Sequence, residues 1–189
     1  MHKIVRLKDY RRHKAAWRGF RKWKASLPPG KCLDENTTFP DLPDDLLLLL
    51  CEDNNESRLL IYDFIMGALD MGRGYAFESL PSSQLIPLLD ICFMLTDLAR
   101  FECMRRLGWI DKIPSGQEAI VDLVFKAAES NGPKFIRIGS LTKAHPAYAQ
   151  DIGNHGIDRQ SLVRKYLKEA LQLFRAHVLS KADHHPTRL

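Results

Sequence analysis

The sequence predicts an all-α protein, a compact bundle of about five to seven helices with a basic amphipathic helix at its N-terminus. Three observations lead there. Leu dominates the apolar residues while runs of Val, Ile and Thr are few, which favours helix over strand. Apolar positions recur every three or four residues in several segments bounded by Pro, Gly and Asn. The apolar share of 45% and the charged share of 27% are those of an ordinary globular chain, which argues against disordered and fibrous classes. The 189 residues divide into a basic aromatic helix, residues 1–30, and a helical bundle domain, residues 31–189.

Residues 3–26 read as one helix, stopped by Pro28, Pro29 and Gly30. A polar linker runs from Lys31 to about Pro43. Asp44 then caps a short helix through Cys51, and Asn54 or Asn55 caps the next, which ends at Gly72. Pro81, Ser82 and Ser83 open a long helix to Leu107, with Gly108 as its stop. Ser115 and Glu118 form a Ser-x-x-Glu capping box for a helix that ends near Asn131 and Gly132. From Gly132 to Gly156 the periodicity fails, leaving a strand-like stretch at Phe135 to Ile138 and a helical turn near Ala147. Asp158 caps a last amphipathic helix to about Ser180. His184 and His185 close the chain as a frayed tail.

Charge is unevenly distributed. Residues 1–24 carry +9, residues 25–31 carry +1 from Lys31, residues 32–130 carry −11 and residues 131–189 carry +6, for a total of +5. On a helical wheel Tyr10, Trp17, Phe20 and Trp23 share one arc, and Arg11, Lys14, Arg18, Arg21 and Lys22 fall on the other side. The rings are expected to bury themselves or to form an interface, and the cations to bind an anion. Three fates are open to such a helix. It can pack on the acidic middle of its own chain or of a twin subunit, contact the phosphates of RNA or DNA, or lie on an anionic membrane.

Two aspartate pairs have a spacing of seven, Asp63 with Asp70 and Asp90 with Asp97, so each pair shares a helix face about 10 Å apart. If the two faces met, four carboxylates would converge as a divalent metal requires. The simpler expectation is that each pair marks the polar stripe of a buried helix where it meets water. Ion pairing of Arg100 with Asp97, and of Arg105 and Arg106 with Glu102, needs no metal. His145, Asp151 and His155 are a second metal or acid-base alternative, with a surface loop as the simpler one. The Gly72-Arg73-Gly74 turn can either bind an anion through backbone N–H groups or serve as a tight interhelical turn.

No Walker loop, nucleophile elbow or dinucleotide fingerprint occurs, and no cofactor is expected. Cys32, Cys51, Cys92 and Cys103 have no zinc or disulfide spacing and read as reduced, packing thiols of a cytoplasmic protein. No signal-peptide pattern is evident, and Leu85 to Ala99 is too short and too polar to span a bilayer. The leading expectation is a non-enzymatic binding or assembly module that presents a cationic helix to a polyanion, RNA or DNA ahead of an anionic membrane surface. The alternatives are a metal-assisted or acid-base enzyme and a peripheral membrane-surface protein. The rings of Trp17, Phe20 and Trp23 would suit a homodimer interface.

Overall fold

The computed structural model, which describes residues 7–130, 136–153 and 158–183, is all-α. Its α-helices are α1 (Leu7–Gly19), α2 (Asp44–Cys51), α3 (Asn55–Ala68), α4 (Ser82–Arg106), α5 (Ile120–Glu129), α6 (Tyr148–Gly153), α7 (Arg159–Lys165) and α8 (Leu167–Asp183). Short 3-10 segments lie at Trp23–Ser26, Phe39–Asp41, Gly74–Ser79 and Pro114–Gln117. Among the described residues the only β pairing is an isolated antiparallel bridge between Ile110 and Leu141.

α3 is the most enclosed helix. Asn54 starts it by accepting the Ser57 N–H at 2.9 Å, and Leu60 through Ala68 are buried without interruption. α1, α2, α4, α5 and the 74–79 turn surround it. α4, 25 residues long, packs on α2, α3, α5 and α8. By length and composition α4 could cross a membrane, yet it carries the buried Glu102 and is packed by four helices. Glu102 receives both Arg105 (2.7 Å) and Arg106 (2.9 Å). Arg106 also reaches Asp44 at 2.5 Å and donates to the Phe39, Pro40 and Leu42 carbonyls, fixing the linker to the end of α4. α2 meets α4 at the buried thiols of Cys51 and Cys103, whose sulfurs are 3.3 Å apart. Cys92 is also buried, which pushes its thiol up to about 11; Cys32 is exposed.

Four expectations about elements need correction. Residues 3–26 are not one helix: α1 ends at Gly19, and Trp23–Ser26 forms a separate 3-10 turn; residues 1–6 lie outside the described residues. The cause is a close crossing of α1 over α3. A Cβ on Gly19 would stand 2.9 Å from the Phe64 ring, and one on Gly67 would stand 2.8 Å from the Arg18 carbonyl oxygen. The Ser115 to Glu118 box does not start α5, which begins at Ile120; Pro114–Gln117 is a 3-10 turn instead. Ser115 accepts the Arg137 N–H at 3.1 Å, Glu118 pairs with Lys126, and Ile120 N–H donates to the Thr37 carbonyl at 2.9 Å. The last helix is two, α7 and α8, divided at Tyr166. Of the strand-like stretch, Phe135 lies outside the described residues and Ile136 to Ile138 form no strand.

Candidate functional site

α1 faces the body with its smallest residues. Ala15, Ala16 and Gly19 are buried, with Arg12 beside them on the same face. That spacing of three and four residues is a helical stripe, and its small side chains permit the close crossing over α3. The aromatic arc therefore points the other way over the length of α1. Tyr10 is 51% exposed and Trp17 is 65% exposed. Phe20 and Trp23 follow the end of the helix and turn inward. Their rings pack against Phe64, each at 4.8 Å between centroids, and the Trp23 indole N–H donates to the Leu60 carbonyl at 3.1 Å. The four rings expected on one face thus divide into two core rings and two solvent-facing rings.

The cations divide as well, by reach. Arg18 donates to the Gly67 carbonyl at 2.9 Å and stands 3.1 Å from Asp70. Arg21 grips both oxygens of Asp63, at 3.1 and 2.8 Å, and Lys22 adds a contact at 3.6 Å. Arg12, which the wheel did not single out, binds Asp122 at 2.9 Å and the Glu35 carbonyl at 2.8 Å. His13 meets the Glu35 carboxylate at 3.1 Å; a backbone hydrogen bond first, and then His13, hold that carboxyl below its usual range. The remaining cations are exposed, although Arg11 leans on α5. Arg11 lies over the Phe125 ring at 4.6 Å and Lys14 over the Tyr10 ring at 5.3 Å. Among the described residues Lys8, Arg11, Lys14 and Lys24 make no ion pair. The candidate surface is therefore centred on Tyr10, Lys14 and Trp17, with the exposed Lys8 and Arg11 on its flanks and Lys24 just past the helix.

Asp63 corrects the expectation of a polar stripe meeting water. It is 2% exposed, held by Arg21, Lys22 and the Gly74 N–H, which donates at 3.0 Å. The Gly72-Arg73-Gly74 turn does bind an anion, and that anion is the chain's own carboxylate. Gly74 is required there, since a Cβ would stand 2.5 Å from the Asp63 backbone nitrogen. Asp70 is taken by Arg18, and Asp97 by Arg164 (2.6 Å) and Arg100 (4.0 Å). Asp90 is half-buried and makes no ion pair among the described residues. The two aspartate pairs are thus held in separate places, and no three His, Cys, Asp or Glu side chains gather within ligating reach among the described residues. His145 is buried between Trp109 and Tyr166, its ring centroid 5.2 and 5.5 Å from theirs. Asp151 is drawn off to Arg159 at 2.7 Å, and His155, like His184 and His185, lies outside the described residues.

The C-terminal cations repeat the pattern of α1. Arg164 reaches Asp97, Arg175 reaches Glu52 at 2.6 Å and Lys181 reaches Asp44 at 2.9 Å. Both basic ends of the chain are therefore docked on its acidic middle. Compared with protein-family models, with curated proteins and with solved structures, the chain shows no match in any of the three.

Proposed function

We propose that this protein is a binding module whose α1 surface holds a polyanion, with single-stranded RNA or DNA as the preferred class. The observation that carries this reading is Trp17. An indole 65% exposed, three residues from Lys14 on a helix whose outer cations lack carboxylate partners among the described residues, is suited to a base stacked on the ring and a phosphate beside it. A helix that was only a packing element would not need the ring there. Leu7, 83% exposed on the same helix, favours a second reading in which the surface lies on an anionic membrane.

A salt titration with labelled single-stranded and duplex oligonucleotides tests it, alongside sedimentation with phosphatidylserine vesicles. If Lys8, Arg11, Lys14 and Lys24 each neutralise one phosphate of a single strand, log affinity should fall against log salt with a slope of about −2.8. Changing all four to Glu should abolish binding, and Trp17→Ala should weaken it by about 1–3 kcal/mol. Trp23 and Trp109 are buried, so quenching of the accessible indole on binding reports on Trp17. An unaltered slope in the fourfold variant, or an unquenched Trp17, would refute the nucleic-acid reading. Vesicle binding that depends on Leu7 and Trp17, without oligonucleotide binding, would favour the second.

A further inference from the structure

A cleft of about 530 Å³ opens between α4, α5 and the 136–138 segment, on residues that the α1 surface does not use. Met94, Leu98, Leu123, Ala127 and Ile136 line it with carbon. Its polar lining consists of Ser115, Glu118, Lys126 and Arg137. Glu118 neutralises Lys126, and the Ser115 hydroxyl oxygen accepts the Arg137 backbone N–H. Among the described residues that leaves the Arg137 guanidinium, exposed and without an ion pair, as the one uncompensated charge of the lining. A cavity of this size with an apolar floor and few polar groups is of the kind that encloses most of a small ligand. The charge selects which kind. We propose that the cleft binds a long-chain carboxylate, its alkyl chain on the Met94, Leu98 and Ile136 floor and its carboxylate paired with Arg137. Guanidinium and carboxylate match in geometry as well as in sign, through two parallel N–H to O bonds.

The test uses the full chain and dodecanoate below its micelle concentration, followed by calorimetry and by the 13C shift of its labelled carboxyl carbon. Dodecanol and dodecyltrimethylammonium serve as neutral and cationic counterparts. One saturable site per chain is expected for dodecanoate, with the alcohol about tenfold weaker and the cation weaker still. Arg137→Glu should raise the dodecanoate Kd at least about tenfold while leaving dodecanol unchanged. Ala127→Phe, which fills the cleft, should remove both. A melting curve shows whether that variant folds, and the surface change Arg137→Glu decides the question if it does not. Absence of saturable dodecanoate binding, equal affinity in Arg137→Glu, equally tight binding of the cation, or unchanged binding in folded Ala127→Phe would each overturn the proposal.

Discussion

Arg21 and Lys14 are both cations of the N-terminal segment, and the structure assigns them opposite roles in stability. Arg21 makes two contacts with a carboxylate that is 2% exposed, whereas Lys14 lies over an exposed ring. Removing one partner of a buried pair costs about 3–5 kcal/mol, because the other charge stays desolvated. Two features reduce that figure here. The Arg21 side chain is itself 40% exposed, and Asp63 keeps Lys22 at 3.6 Å and the Gly74 N–H. Arg21→Gln should therefore destabilise by about 2 kcal/mol, or roughly 4–8 °C of melting temperature in a chain of this size. Lys14→Gln should stay within about 0.5 kcal/mol. Urea unfolding of the two single variants, of Asp63→Asn and of Arg21→Gln with Asp63→Asn measures the coupling directly. Asn at position 63 can still accept the Gly74 N–H while removing the buried charge, so the double variant should recover a good part of the loss. If Arg21→Gln is as mild as Lys14→Gln, Asp63 does not depend on the N-terminal segment and the docking argument fails.

Gly67→Ala should destabilise by about 1–3 kcal/mol despite the higher helix propensity of Ala, because its Cβ would stand 2.8 Å from the Arg18 carbonyl oxygen; equal or greater stability in urea melts would refute the close crossing. His145 should make stability depend on pH in the acid range. Its Nδ1 accepts the Ala147 N–H at 3.0 Å, its Nε2 has no partner among the described residues, and burial first of all lowers its pKa from the ordinary 6.5. The unfolded chain then binds the proton more readily, so this contribution is complete above about 6.5 and is lost as pH falls toward the lowered folded value. Unfolding free energies measured between pH 7.5 and 5 should slope in the parent and flatten in His145→Gln; an unchanged slope would place the dependence elsewhere.

Much of the bundle was legible because local chemistry decides helix ends. Asn54 and Asp158 cap where their side chains predict, the latter accepting the Gln160 N–H at 3.0 Å, and Gly108 adopts the positive φ that a stop requires; α3, by contrast, ends at Ala68 with Asp70 in that conformation, before the Gly72 stop the sequence suggested. The failures have tertiary causes. The Ser115 to Glu118 pattern satisfies a local rule, but Ser115 instead accepts the backbone N–H of Arg137, 22 residues on, and Glu118 pairs with Lys126 of α5. Periodicity placed Tyr10, Trp17, Phe20 and Trp23 on one face and could not show that the helix stops between Trp17 and Phe20. The inward face of α1 was nevertheless written as Ala15, Ala16 and Gly19, a run of small residues whose packing value the size of the aromatic residues obscured. Asp63 read as a surface carboxylate because its partner lies 42 residues away in sequence.

The segregation of charge along the sequence takes its meaning from these contacts. An acidic middle between two basic ends could have meant two cationic surfaces free for an outside polyanion. Instead, Arg12, Arg18 and Arg21 reach Asp122, Asp70 and Asp63, while Arg164, Arg175 and Lys181 reach Asp97, Glu52 and Asp44. Most of these pairs are partly exposed and contribute at most about 1 kcal/mol each, so their larger consequence is where α1, α7 and α8 lie rather than how stable the fold is. Docking also changes what remains to be bound. The formal +9 of residues 1–24 is partly neutralised from within, and the unpaired charge on the described α1 surface is confined to a few side chains around Trp17 and Tyr10. A partner drawn only by net charge would find little preference between the two ends. One that also stacks on an aromatic ring would find it at α1, which is why Trp17, more than the number of lysines, distinguishes a site from a solvated face.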